Sequence, residues 1–412
     1  MKKVVVIGGG AAGLMAAGFA GKNAEVLIIE KNDRVGRKLA ITGKGRCNVT
    51  NSADISEFIE NTPGNGRFLY SALYSFTNDD VIEFFNKLGV KTKVERGGRV
   101  FPVSDSAKDV VNALYKFIRE NNVDIRYNST VKEILVSNNR VFGVKLSNNE
   151  IINCDKVILA TGGKSYPATG STGDGYNIAK KLGHKVISPK PSLVGLVSEN
   201  EWIKELQGLS LKNVEFSLMD SKGKEIYSEF GEMLFTHFGV SGPIVLSGSR
   251  VLHRYMDEFR KVSGIKAKID LKPALDFKKL DLRVQRDFEK YINKELKNAL
   301  YDLLPEKLIP VIIKLSEVDE RKKVNVITAE ERKRIVEILK NLEFSIDELR
   351  PIDEAIVTAG GICVDEINPS TMESKIIEGL YFCGEVIDVD AYTGGFNLQI
   401  AFSTAFLAGN NI

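Results

Sequence analysis

The 412-residue chain is 43% apolar and 27% charged, the composition of an ordinary globular protein long enough for two or three domains. Its 57 basic and 54 acidic side chains leave a formal net charge of +3, which gives no support for nucleic-acid binding. Four scattered cysteines (Cys47, Cys154, Cys363, Cys383) without Cys-x-x-Cys spacing, and three histidines, supply no zinc-ligand pattern, so no metal is expected, and they fit a reducing cytoplasm.

Met1-Lys2-Lys3 and the apolar run through Ala20 mimic a secretory leader, but Gly8, Gly10 and Gly13 give that run another meaning. Val4 to Ile7 reads as a buried parallel strand, Ala11 to Ala20 as a helix packed on it, and Ala24 to Glu30 as a second strand ending in an acid. Gly8-x-Gly10-x-x-Gly13 falls between strand and helix. The first glycine permits the tight turn, the second lets backbone approach a pyrophosphate, and the third lets helix and strand pack closely. Glu30 stands where an acid accepts hydrogen bonds from an adenosine ribose. The alternative is a glycine turn without a ligand.

Asp79 to Leu88 and Lys108 to Glu120 read as amphipathic helices, the second with a Ser106/Asp109 capping box. From Val123 to Cys154, short strands broken at Ser137-Asn138-Asn139 and Ser147-Asn148-Asn149 predict a β-meander, since Asn tolerates positive φ. Val157 to Ala160 is another buried strand. Pro189 to Pro191 marks a boundary, after which Asp220-Ser221-Lys222-Gly223 between Val214–Met219 and Glu225–Phe230 predicts a hairpin. Ile265 to Leu271 reads as a strand, and Asp276 to Leu342 is charged and helix-patterned. From Pro351 the glycine-rich, β-branched character returns. No apolar run of about 18 residues indicates a membrane span, and a cytoplasmic location is expected.

Two segments favour FAD over NAD. Ala160-Thr161-Gly162-Gly163 ends a buried strand, and Gly379 to Glu385, Asp388 and Gly394-Gly395-Phe396-Asn397-Leu398-Gln399 read as strand, loop and helix start. Such a helix start points N–H groups at the electron-rich edge of a flavin. No second strand-glycines-helix-acid unit is present for a tightly held nicotinamide; NAD(P)H is expected at most as a transient donor.

The motifs Arg37-Lys38, Thr42-Gly43-Lys44-Gly45-Arg46-Cys47-Asn48-Val49-Thr50-Asn51, Gly97 to Pro102, Thr161 to Pro167 and Thr236 to Pro243 join these over the whole length. With them the chain resembles the BaiN/YhiN family of FAD-dependent oxidoreductases, also called aminoacetone-oxidase-like. The resemblance implies an α/β fold: a Rossmann-type two-dinucleotide-binding FAD domain over 1–190 and 351–412. It also implies a β-barrel-like insert over 191–275 and 343–350, with a helical subdomain over 276–342. Gly43, Arg46 and Asn48 are implied to line non-covalent FAD. Further cofactor contact is expected at Gly8, Gly10, Ala11, Ala12, Gly13, Glu30, Lys31, Arg37, Lys38, Cys47 and Val131. The same holds for Ala160, Thr161, Gly162, Gly163, Gly384, Glu385, Asp388, Gly395, Asn397 and Leu398.

Arg46 and Lys44 are read either as donors to phosphate or flavin oxygens or as solvated charge. Cys47 and Cys383 are either redox-active or small buried residues. Tyr166, His237 and Tyr392 are the candidate catalytic residues; His184 and His253 are read as structural. Three functions are weighed. The first is a reductase of an activated C=C bond in a 3-oxo steroid or dehydro bile acid, with tyrosine, histidine or water supplying the proton. The second is an oxidase of a small amine such as aminoacetone, and the third a non-catalytic flavin sensor or assembly protein. A small-molecule substrate, no nucleic acid and no membrane are expected.

Overall fold

Lys3–Ile7 forms β1, and its β-branched side chains are buried on both faces, as a central parallel strand requires. The chain then turns into α1 (Ala11–Ala20), crosses back as β2 (Glu25–Ile29), and after α2 (Ala107–Glu120) adds β3 (Asp124–Arg126). Later come β4 (Lys156–Leu159), β5 (Leu380–Phe382) and α3 (Phe396–Asn410). The five strands make one parallel sheet in the order β5-β4-β1-β2-β3, with Val5 paired to Leu27 on one side and Val157 on the other. The order reverses at β1, and the gap beyond the carboxyl ends of β1 and β4 is where such sheets bind ligands.

The computed structural model describes residues 1–257 and 260–412, which divide into two units: Met1–Ser192 with Ile352–Ile412, and Leu193–Pro351. The first holds the parallel sheet. It also carries the meander Val131–Ser137, Arg140–Leu146 and Ile151–Asn153, where Asn138, Asn139 and Asn149 take the positive φ their sequence predicts. The segment from Val123 thus supplies both a strand of the parallel sheet and three strands of the meander. The expected side-chain cap at Ser106 does not form: Ser106 caps α2 by backbone position alone, and Asp109 bonds the Ser104 hydroxyl at 2.6 Å.

The second unit is a closed barrel of Leu196–Val197, Gly239–Ser241, Glu225–Phe235, Ser210–Met219, Lys261–Asp270 and Leu342–Leu349. Its Asp220–Gly223 hairpin turns at Gly223, where φ is +75°. Helices Phe277–Lys290, Ile309–Ser316 and Ala329–Lys340 follow within the same unit; Thr328 and Glu331 close the last with a capping box.

α1 and α3 lack an apolar stripe because both are buried nearly all round. Small residues let them approach: a Cβ on Gly409 would stand 2.5 Å from the Ala16 carbonyl oxygen. At their far end Phe19, Phe76 and Phe406 pack with ring centroids 4.7–5.8 Å apart. The polar side chains that α3 buries are all bonded: Gln399 and Ser403 both donate to the Phe76 carbonyl, at 3.0 and 2.7 Å. Phe402, fully buried on α3 with its ring 5.5 Å from that of Phe85, carries much of this packing. Phe402→Ala is expected to cost about 3–5 kcal/mol, read as a lowered urea midpoint in far-UV circular dichroism.

Candidate functional site

At the carboxyl edge of the sheet, backbone touches backbone. Gly8 has φ +103°, and a Cβ there would lie 2.7 Å from the Ala160 carbonyl oxygen; one on Gly13 would fall 1.9 Å from the Gly8 oxygen. Gly10 differs from both. It is the N-cap of α1, with no side-chain cap bond, and a Cβ on it meets nothing within 4 Å. The N–H groups of Ala11, Ala12 and Gly13 in the first turn have no intrahelical acceptor and carry the positive end of the helix dipole, and nothing crowds the Gly10 side of that turn.

Glu30, buried past β2, accepts from the Gly9 N–H at 2.7 Å and from the Asn32 N–H and side-chain amide at 2.8 and 2.7 Å. It braces the glycine loop, and Oε2, with one bond, keeps further acceptor capacity. Arg37 donates to Asn32 Oδ1 at 2.8 Å, and its loop is pinned by the Gly36 N–H to the Gly9 carbonyl. Lys31 is paired with Asp174 at 2.7 Å. Ser129 donates to the Glu30 carbonyl, which brings Val131 to the same edge, where its side chain is buried.

The loop from Gly43 to Asn48 makes three left-handed turns in a row at Gly43, Lys44 and Gly45, and a fourth at Cys47. Arg46 is engaged elsewhere: Glu95 at 2.5 Å and Asp105 at 2.6 Å hold its guanidinium, which lies 4.1 Å over the Phe101 ring. The Glu95 and Asp105 hydrogen bonds raise the Arg46 pKa further, so the guanidinium, expected to meet phosphate or flavin oxygens, is already compensated by two carboxylates. Lys44 is exposed. Burial pushes the Cys47 thiol up to about 12, which leaves almost no thiolate near neutrality. Burial raises Cys383 as well.

Two buried side-chain polar atoms have no partner among the described residues: Asn48 Oδ1 and Thr161 Oγ1. Asn48 Oδ1 lies beside Gly395, where a Cβ would meet it at 3.0 Å and the Thr50 carbonyl at 2.3 Å. Gly394 and Gly395 both take positive φ, so α3 begins against the Asn48–Thr50 backbone. Asn397 spends its side chain closing the preceding loop, accepting from the Ala391 N–H at 2.9 Å and donating to the Ala391 carbonyl at 2.7 Å. Leu398 is half-buried behind it, and Asp388 accepts from Asn65 through its carbonyl and its carboxylate. An extended cofactor with a pyrophosphate, a ribose and a polar ring system fits these residues. The open α1 start suits the first, Glu30 and Arg37 flank the second, and the orphaned Asn48 and Thr161 atoms offer partners to the third.

A cluster that only the fold assembles lies beside Gly162 and Gly163. Lys38 Nζ donates to Ser165 Oγ at 2.6 Å and to Glu385 at 2.8 Å, and the Thr358 N–H donates to Glu385 at 2.9 Å. Lys38 and Glu385 were expected there as single contacts. Ser165 and Asn51, whose side chain donates to the Gly97 and Gly394 carbonyls, were visible only as parts of motifs, and nothing in the sequence pointed to Thr358.

Tyr166 is 36% exposed and left-handed (φ +52°), a rare state for a bulky residue, held by its N–H to the Asp353 carbonyl. Tyr392 is half-buried, with its N–H on the Asn61 carbonyl. His237 is exposed on the turn before Gly239–Ser241 in the second unit. His184 is buried between Glu366 at 3.1 Å and Ser374 at 3.0 Å; burial lowers its pKa, against the Glu366 hydrogen bond. His253 is buried beside Arg250. Among the described residues no helix is long and apolar enough to cross a membrane, and no three His, Cys, Asp or Glu side chains gather as a metal site would need.

Two outcomes test this geometry. Gly10→Ala is expected to leave the flavin-free protein within about 0.5 kcal/mol of its stability. Its FAD affinity, measured by fluorescence quenching, falls at least about tenfold, or 1.4 kcal/mol. Cys47 should resist a thiol reagent at pH 8 in the folded protein and react after guanidinium unfolding; fast labelling of the folded form would contradict its burial.

The model of the HI0933-like protein Rossmann domain matches residues 2–411. The chain is 32% identical to a 3-dehydro-bile acid delta(4,6)-reductase of Clostridium scindens, over 99% of its own length and 98% of the reductase's. It is also 32% identical to a ribosomal RNA dihydrouridine synthase of Escherichia coli, over 99% and 97% of the two lengths. The exclusion of nucleic acid drawn from the small net charge therefore finds no support: a net charge sums over the whole surface and is blind to a local basic face. Among solved structures, the 3-ketosteroid delta1-dehydrogenase from Sterolibacterium denitrificans shares the fold, with a TM-score of 0.53 at 14% identity over 100% of this chain and 99% of that one. The chain belongs to the HI0933-like Rossmann family, the BaiN/YhiN group its motifs resemble, and is a flavin-dependent oxidoreductase.

Proposed function

We infer that the protein binds FAD without a covalent bond and reduces a carbon–carbon double bond conjugated to a carbonyl. One observation carries this reading: relatives at 32% identity over nearly their whole lengths bear two names that describe the same chemical change. A delta(4,6)-reductase saturates a dienone, and a dihydrouridine synthase saturates the uracil ring double bond, which is also conjugated to a carbonyl. Reduced FAD supplies a hydride equivalent to such a bond. The residues proposed to hold the cofactor are the α1 start with Gly8, Gly10 and Gly13, then Glu30, Arg37, Lys38 and Asn48. Thr161 to Gly163, Glu385 and the α3 start at Gly395 to Leu398 complete the set.

The remaining requirement is a proton for the second carbon. Tyr166 is the proposed donor: its phenol stands on a strained, solvent-accessible turn just past Gly163, and such strain persists where the surroundings enforce a function. Tyr392 and His237 are the further candidates. A 3-oxo-Δ4 or Δ4,6 steroid is the proposed substrate class, with a uracil ring in RNA as the second reading on the strength of the synthase relatives. NADH or NADPH is proposed as a transient electron donor.

The test is anaerobic. FAD-loaded protein, reduced by dithionite without excess, is mixed with a 3-oxo-Δ4,6 steroid, with a uridine-containing RNA or with aminoacetone. Return of the oxidised flavin spectrum, with a product two hydrogens heavier, is expected from one of the first two. Retention of reduced flavin with every enone-type acceptor, together with peroxide release when aerobic protein meets aminoacetone, would replace this reading with an amine oxidase. Tyr166→Phe should slow acceptor-driven reoxidation by about 10²-fold or more without loss of bound flavin.

A further inference from the structure

Gly66–Leu69 and Tyr70–Ser75 run on as one helical stretch of the first unit. Arg67, Tyr70 and Tyr74 stand at i, i+3 and i+7 along it, the spacing that sets side chains on one helix face. That face is bare. Tyr70 is 46% and Tyr74 67% exposed, Arg67 is exposed with them, and the two rings lie nearly parallel, 14° apart with centroids at 6.4 Å. Among the described residues neither phenol has a hydrogen-bond partner and Arg67 has no carboxylate. The fold itself makes no use of this ring pair, because the stretch packs on the core through its other side, at Leu69, Ala72 and Leu73.

The stretch is tied at both ends to the backbone that leads into α3. Asn65 donates to the Asp388 carbonyl at 2.7 Å, and Asn78 donates to the Asn51 carbonyl at 2.8 Å. Asn51 in turn donates to the Gly394 and Gly97 carbonyls at 2.9 and 3.0 Å. The bond to Gly97 fixes the turn Arg96-Gly97-Gly98-Arg99, whose two glycines take φ of +74° and +71°. A Cβ on Gly98 would lie 2.3 Å from Asn51 Oδ1, so the turn is seated on Asn51 itself. Arg96 and Arg99 are exposed on this turn. The carboxylates of Glu95 and Asp105 are already held by Arg46 and Lys93 at 2.5–2.8 Å, and among the described residues Arg96 and Arg99 have no ion pair. Uncompensated guanidiniums and a stacked tyrosine pair thus share one anchor.

We propose that Arg67, Tyr70, Tyr74, Arg96 and Arg99 form a docking surface for single-stranded RNA, with bases stacked on the tyrosines and phosphates paired to the guanidiniums. The surface rests on the second reading of the function, a uracil ring in RNA as the acceptor, and adds how the strand is held. An exposed aromatic face accepts any base, since every base has a π-face. A guanidinium matches a phosphate with two parallel hydrogen bonds, and each phosphate neutralised releases counterions. A duplex keeps its bases stacked on one another, so the tyrosines select an unpaired strand. A polycyclic ketone brings no row of anions to meet three uncompensated cations, whereas a strand of RNA does.

The experiment is fluorescence anisotropy of a labelled, uridine-rich RNA of about 12 nucleotides, titrated with the FAD-loaded full-length protein over a series of salt concentrations. Tyr70→Ala with Tyr74→Ala is expected to weaken binding at least about tenfold, and Tyr70→Phe with Tyr74→Phe to stay within about threefold, since the ring faces are kept. Arg96→Ala with Arg99→Ala should flatten the slope of log affinity against log salt by about 1.4, the value for two phosphates of a single strand. Binding of the matching duplex should not respond to the tyrosine changes, which also shows that those variants are folded. Unchanged RNA affinity in the tyrosine-to-alanine variant, an unchanged salt slope without the two arginines, or a wild type that binds no RNA overturns the surface and leaves this face to a protein partner. RNA that binds as described but never reoxidises the reduced flavin supports the surface and overturns the uracil reading instead.

Discussion

The structure turns on a contact that no side chain could share. Gly13 of α1 sits over the Gly8 carbonyl, and Gly8 sits against the Ala160 carbonyl, so helix, first strand and fourth strand meet backbone to backbone. Any Cβ at Gly13 would have to enter the volume of an oxygen. That closeness keeps α1 aimed along the sheet and leaves its first turn open at Gly10. It also sets the Ala160–Gly163 backbone beside the loop that Glu30 braces.

The polar groups around this edge divide into two kinds. Some serve the scaffold: Glu30 ties down Gly9, Asn397 closes its own loop, and Arg46 is neutralised by Glu95 and Asp105. Others keep capacity in reserve, namely the remaining guanidinium donors of Arg37 and the Asn48 and Thr161 oxygens. In the proposed reading, the second kind recognises the cofactor and the first holds it in register. This separation explains why a motif residue such as Arg46 can belong to the site's loop without offering its charge to a ligand.

The relatives' names frame the chemistry without choosing the substrate. Saturating a dienone and saturating a uracil ring demand the same hydride acceptor and the same second proton, and differ in how a rigid polycycle or a polynucleotide is brought up.

The sequence by itself determined the periodic and local features. The β-branched run at Val4–Ile7, the glycine spacing, the Asn-rich turns of the meander and the Asp220–Gly223 hairpin each depend on residues close in the chain, whose φ preferences and burial pattern act locally. The parallel sheet followed from strand and helix alternation, and the family resemblance from motifs read in order. Tertiary structure alone decided the partners. Lys38, Ser165, Thr358 and Glu385 come from segments up to 347 positions apart, and no local rule joins them. It likewise gave the Asp109 carboxylate to Ser104 rather than to a Ser106 capping box, gave Arg46 to two carboxylates, and sealed Cys47 where its thiol stays protonated. Hydrogen bonds and ion pairs are chosen by proximity in space, and proximity is known only once the chain has packed.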